Sequence, residues 1–174
     1  HRLASLHDTD NKQIFDNVVV VTDRVVVDRQ LQAALLGIEH KAGLIRVMDE
    51  KCSSADLANA LNSNTKIIAT TIQKFPYIVD SVKGLKNKKF AVIIDEAHSS
   101  TSGKDMAAVS KSLGAGEDDF TDVQDMMTDE IRRNGKQPNV SIFAFTATPK
   151  PTTLMLFGRL NTKGQREAFH IYSM

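Results

Sequence analysis

Asp95 and Glu96 follow directly on the apolar run Phe90–Ile94, and His98 comes two places later, in the stretch "FAVIIDEAHSS". A carboxylate set at the end of a buried strand is costly unless it is paired or metal-bound. Mg²⁺ is held by one or two carboxylates together with waters and substrate phosphates. Asp95 is therefore a candidate for holding that ion through water. Glu96, one residue on, points elsewhere and suits the polarisation of a water for attack on a γ-phosphate. Phosphoryl transfer asks chiefly for positioning and charge compensation, so few residues suffice. His98 is a candidate for a hydrogen bond to the end of the neighbouring strand, where it would sense the phosphate. The weaker alternative has Asp95, Glu96 and His98 ligating a transition metal; such sites commonly need a second imidazole, which this cluster lacks.

Three more polar clusters stand in the same relation to apolar runs. Thr22-Asp23-Arg24 follows Val18–Val21. Thr70-Thr71-Ile72-Gln73-Lys74 follows "KIIA". Thr146-Ala147-Thr148-Pro149 follows "SIFAF". In open α/β sheets, ligands bind beyond the carboxyl ends of the strands. Threonine and aspartate are also ordinary helix caps. The two readings are compatible, because a helix N-terminus presents free N–H groups to a phosphate, and Arg24 and Lys74 would add positive charge.

The elements that must position these clusters alternate along the chain. Strands are expected at Val18–Val21, Leu44–Met48, Lys66–Thr70, Phe90–Ile94, Val140–Phe145 and Ala168–Tyr172. Helices are expected over Val25–Leu36, from Ser53 or Ser54 to Leu61, over Ile72–Leu85 with Pro76 distorting the first turns, near Met106–Leu113, over Asp122–Arg133, and from Pro151 to Phe157. Alternation of this kind implies a parallel sheet with helices on both faces. The runs "VVVV", "AVII" and "SIFAF" are nearly continuous in apolar character, as strands covered on both faces are. The expected fold is thus three-layer α/β, in one domain over residues 1–174.

The 174 residues are 41% hydrophobic and 25% charged, with a formal net charge of +1. Global charge therefore draws the chain neither to nucleic acid nor to membrane, and any anion site is local. No apolar run reaches the roughly 20 residues of a membrane span. The single cysteine, Cys52, forms no internal disulfide, has no partner motif and suits a reducing cytoplasm. Lys83, Lys86, Lys88 and Lys89 precede the Phe90–Ile94 strand. They belong at its amino end and read as a solvated loop rather than a DNA patch. Glu117–Asp119 reads as an exposed acidic turn.

A loop of the form G-x-x-x-x-G-K-[ST], which grips phosphates, is absent from the sequence. Gly103-Lys104 lacks the earlier glycine and is followed by Asp105; Gly114 and Gly116 do no better. "HRLASLH" reads as the end of a helix, so the loop is expected upstream of His1 and the chain is expected to be a fragment.

With "DEAH" followed by "TATP", the chain resembles the first RecA-like motor domain of superfamily 2 helicases and translocases. The stretches "VVVVTDRVVVDRQL", "IIATTIQKF", "VIIDEAHSS", "FAFTATPKPTTLMLFG" and "FHIYSM" together resemble the motor subunit of type I restriction enzymes. That resemblance implies a RecA-like fold lacking its phosphate-loop strand. It makes Asp95 the Mg²⁺-associated acid and Glu96 the base. It gives His98, Thr146, Ala147 and Thr148 the coupling of hydrolysis to domain movement. It gives Thr22, Asp23, Arg24, Thr70, Thr71 and Gln73 the grip on the DNA sugar-phosphate backbone. The implied cofactors are ATP and Mg²⁺, and the implied partners are double-stranded DNA and the methylase and specificity subunits, in the cytoplasm. Ser99 departs from the family, where many relatives have Arg. Lacking the phosphate loop and a second motor domain, the isolated piece is expected to be inactive. The missing strand would lie beside Val140–Phe145, so an open sheet edge, or a crystal dimer through it, is expected there. The alternatives are the first domain of another superfamily 2 DNA or RNA helicase, and a non-catalytic module that binds DNA or a protein partner.

Overall fold

The computed structural model describes residues 2–22, 44–48, 51–95, 129, 131–135, 137–146 and 148–171. Five strands form where the β-branched and apolar runs predict them: β1 (Asn17–Thr22), β2 (Ile45–Met48), β3 (Ile67–Thr71), β4 (Phe90–Ile94) and β5 (Val140–Ala144). They assemble in the order β2-β3-β1-β4-β5, and every adjacent pair is parallel. β1, β3 and β4 lie inside the sheet and are buried almost throughout, which is why their sequences read as unbroken apolar runs.

Three α-helices can be bounded among the described residues. α1 (Ser54–Asn62) starts on a capping box: the Ser53 hydroxyl accepts from the Asp56 N–H, and the Asp56 carboxylate accepts from the Ser53 N–H at 2.8 Å. α2 (Phe75–Gly84) begins later than the sequence suggests. Ile72–Lys74 forms a 3-10 turn first, and Pro76 then falls in the first α-turn, where its missing N–H leaves no bond unmade. α3 (Pro151–Phe157) starts on its proline as expected. Residues 129 and 131–134 are helical, in line with the end of the helix expected over 122–133. The expected elements at Val25–Leu36 and Met106–Leu113, and the acidic turn at 117–119, lie outside the described residues.

The side chains of α1 and α2 cover one face of the sheet. Leu57, Leu61, Phe75, Ile78 and Val82 close over Val19, Val21, Met48, Ile68, Val92 and Ile94 in one buried cluster. The other face carries Val18, Ile67, Ala69 and Ala91, against which Phe15, Leu3 and Ala4 of the amino-terminal segment pack. That segment contains a 3-10 turn, Arg2–Ser5, rather than the last turn of an α-helix. The architecture is the three-layer α/β fold of RecA-like domains.

Among the described residues β5 is an edge strand of the five-stranded sheet, where the missing neighbour of Val140–Phe145 is expected to leave one. The strand expected at Ala168–Tyr172 does not form over residues 168–171. Its apolar residues Phe169 and Ile171 are exposed, and an apolar run becomes a strand only where a ladder receives it. A small antiparallel hairpin occurs just before it instead, β6 (Arg159–Leu160) with β7 (Arg166–Glu167).

The lysines ahead of β4 do lie at its amino end. Lys88 is built into the structure: its ammonium donates to the carbonyls of Leu61, Asn62 and Ser63 at 3.0, 2.9 and 2.6 Å, closing the carboxyl end of α1. Lys83 pairs with Asp80 and donates to Asn134.

Candidate functional site

Because all five strands are parallel, their carboxyl ends share one edge. Across that edge the chain presents Thr70 and Thr71 from β3, Thr22 from β1, Asp95 after β4, and Thr146 beyond β5. The ladder continues past the strand ends. The Asp95 N–H donates to the Val21 carbonyl at 3.0 Å, and the Phe145 N–H donates to the Ile94 carbonyl at 2.9 Å. The end of β4 that carries Asp95 is therefore fixed by backbone bonds between the ends of β1 and β5.

Registered partners in a sheet point to the same face, and successive residues to opposite faces. Thr22 is registered with Thr71, and Val21 with both Thr70 and Ile94. Thr71, Thr22 and Asp95 thus make one row on the face away from α1 and α2. Thr70 stands in the other row with Met48, Val21, Ile94 and Ala144. The sequence placed Thr70 and Thr71 in one polar cluster, and the pleat divides them.

Burial adds a second distinction. Thr22, Thr70 and Thr71 are 3%, 0% and 3% exposed, whereas Asp95 is exposed. Among the described residues, three buried side-chain oxygens have no hydrogen-bond partner: Asn17 Oδ1, Thr22 Oγ1 and Thr70 Oγ1. A buried hydroxyl left in that state costs about 1–3 kcal/mol. Two of these three sit at strand carboxyl ends. The exposed Asp95 carboxylate suits the outer shell of a hydrated Mg²⁺, which takes one or two carboxylates; among the described residues no group of three or more His, Cys, Asp or Glu side chains could hold a metal. Beyond β5, the Thr148 N–H donates to Thr146 Oγ1 at 3.3 Å, a local turn that fixes this threonine pair.

Asp23, Arg24, Glu96, His98 and Ala147 lie outside the described residues, as do Ser99, Gly103 and Lys104. Gln73 lies in the 3-10 turn after β3, and only its backbone is described. Cys52 is half-buried against the core. Its carbonyl accepts from the Lys74 ammonium, a link between the chain after β2 and the end of β3 that sequence inspection did not foresee. Asp56, at the start of α1 on the same side, is held below its ordinary range by the Ser53 hydroxyl, then by the Ser53 N–H, with Arg46 and Lys74 adding to the effect. The concave face of the β6–β7 hairpin, lined by Arg159, Leu160, Lys163 and Glu167 among others, shares no residue with the rim.

No helix among the described residues is long and apolar enough to cross a membrane. The family model for the SWI2/SNF2 ATPase matches residues 4–174, nearly the whole chain. A search of curated proteins returned no match.

Proposed function

The chain belongs to the SWI2/SNF2 ATPase family, and on that premise we propose that it is the hydrolytic lobe of a type I restriction motor, which moves double-stranded DNA at the expense of ATP. Membership makes it a superfamily 2 helicase-like ATPase domain. The finer assignment draws on the ordered stretches "VVVVTDR", "IIATTIQKF", "VIIDEAHSS" and "FAFTATPKPTTLMLFG". The single observation that carries the reading is the parallel rim, with Asp95 held between the ends of β1 and β5.

Mg²⁺·ATP, when bound, supplies the γ-phosphoryl group and the charge that compensates its transfer. In this reading Asp95 holds the ion through water. Glu96 accepts the proton of the attacking water. His98 and the Thr146-Ala147-Thr148 turn carry the state of the phosphate site to a neighbouring domain. The turns after β1 and β3 touch the DNA backbone, contacts that position the motor without reading sequence. The buried threonine side chains at these turns leave that contact to backbone N–H groups and to Asp23, Arg24 and Gln73. The methylase and specificity subunits are the partners this reading implies, in the cytoplasm.

The test is DNA-stimulated ATP hydrolysis by the full-length protein that carries this chain, against its Glu96→Gln variant. A loss of about 100-fold or more is expected from removing a general base. Equal turnover in the two proteins would defeat the enzymatic assignment and favour a binding module. Displacement of a third strand from duplex DNA, without duplex opening, marks a translocase; duplex opening would move the assignment to a helicase of the same superfamily.

A further inference from the structure

The family resemblance sets Thr22 among the residues that grip nucleic acid, yet its side chain is 3% exposed and its hydroxyl has no partner among the described residues. A group so enclosed is badly placed to meet a polymer. Its place in the sheet suggests other work. Thr22 is registered with Thr71 on one side, and on the other it stands one step past the Val21–Ile94 pair, beside Asp95. The bond from the Asp95 N–H to the Val21 carbonyl, at 3.0 Å, carries the ladder to that point. Thr22 and Asp95 therefore project to the same face from strands about 4.8 Å apart. The structure makes no direct bond between the two side chains, and at that spacing one water can join a hydroxyl to a carboxylate.

We propose that Thr22 is a positioning residue for the Asp95 carboxylate: its hydroxyl orients that carboxylate, or a water the carboxylate holds, and does not touch nucleic acid. The inference rests on the reading of the rim as a Mg²⁺·ATP site. It accounts for two facts together, the burial of Thr22 and its unmet hydrogen-bonding capacity. A hydroxyl retained at a cost in stability is explained when its partner arrives with the metal. A threonine selected only for β-propensity would be served equally by valine, which fills β1 at positions 18 to 21.

The experiment uses the 174-residue chain and Mn²⁺, whose paramagnetic resonance signal reports the free ion directly, alone and with ATP. Thr22→Val removes the hydroxyl at nearly constant volume, Thr22→Ser keeps it, and Asp95→Asn removes the carboxylate charge. Thr22→Val is expected to weaken Mn²⁺ binding about tenfold, the lower end for loss of a group that orients a metal ligand. Thr22→Ser is expected to stay within about twofold of wild type by the same reasoning. The affinity of Thr22→Val for a labelled duplex, read by fluorescence anisotropy, is expected to match wild type. Wild-type Mn²⁺ affinity in Thr22→Val, with binding abolished in Asp95→Asn, would overturn this inference and leave the site reading standing. Weakened DNA binding with unchanged Mn²⁺ affinity would also overturn it, in favour of a nucleic-acid contact. Undiminished Mn²⁺ affinity in Asp95→Asn would remove the site reading and this inference with it. Should Thr22→Val fail to fold, Thr22→Ala takes its place with the same expectations.

Discussion

Removing the ammonium of Lys88 separates two meanings of the lysine cluster ahead of β4. Lys88→Met keeps most of the aliphatic stem and deletes the charge. In the wild type, that ammonium donates to three carbonyls, those of Leu61, Asn62 and Ser63. They lie at the carboxyl end of α1, where backbone acceptors lack intrahelical donors. A hydrogen bond from a charged group contributes about 1.5–3 kcal/mol, and a cation at a helix carboxyl end about 0.3–1 kcal/mol. Lys88 is only half-buried, so solvent screening pulls the set toward the lower part of this range, about 2 kcal/mol. For a chain of this length, that lowers the melting temperature by about 4–8 °C. The assay is thermal melting followed by circular dichroism, with Lys86→Met as the control, since Lys86 is exposed. A second readout is the salt dependence of duplex binding. A lysine that neutralises a phosphate changes the slope by about 0.9, and Lys88→Met is expected to leave it unchanged. A melting temperature within a degree of wild type, or a reduced salt slope, would refute the structural assignment.

Three further outcomes follow from particular contacts. Asp56 has its carboxyl lowered from an ordinary value of 3.8, chiefly by the Ser53 hydroxyl and N–H. The stability it lends is complete above the unfolded value and is lost as pH falls through the lower folded one. Asp56→Asn should flatten that acid-side loss in melts taken below about pH 4. Gly158 follows α3, and a Cβ there would collide with the backbone carbonyls of Leu154 and Glu167. Gly158→Ala should cost about 1–3 kcal/mol in urea unfolding, and an unchanged midpoint would contradict the close approach. The Asn139 amide donates to the carbonyls of Val82, Leu85 and Lys88 at 3.2, 3.2 and 3.1 Å, tying the end of α2 to the start of β5. Asn139→Ala should cost about 1–3 kcal/mol, and amide exchange should rise first at the end of α2.

Much of the fold was legible because several local signals are nearly one-to-one with structure. The Val18–Val21 run reads as a covered strand, and Ser53 or Ser54 reads as the cap of a helix, which the structure starts on Ser53. Pro151 likewise marks a helix start. Two failures share a cause: each depended on something remote in the chain. "AFHIY" has strand character, but residues 168–171 meet no ladder. Lys88 looked like any loop lysine, since its three acceptors come from a helix some 25 residues earlier. The site was legible as a set of strand ends. It was not legible as a set of facing side chains, because strand order and register decide which ends are neighbours.

The pleat bears on how such a rim can work at all. Adjacent residues of a strand end face opposite ways, so no contiguous motif delivers all its side chains to one place. The row that contains Thr70 is otherwise apolar, with Met48, Val21, Ile94 and Ala144, and Met48, Val21 and Ile94 belong to the core beneath α1 and α2. A ligand entering there would have to open that core. The row of Thr71, Thr22 and Asp95 faces away from it and ends in an exposed carboxylate. On the proposed reading, metal and phosphate chemistry would belong to the second row. Its members come from β3, β1 and the end of β4, far apart in the chain. The parallel crossovers that make the sheet also bring this row together, and a one-residue slip in the register of β1 would exchange Thr22 for Val21 beside Asp95.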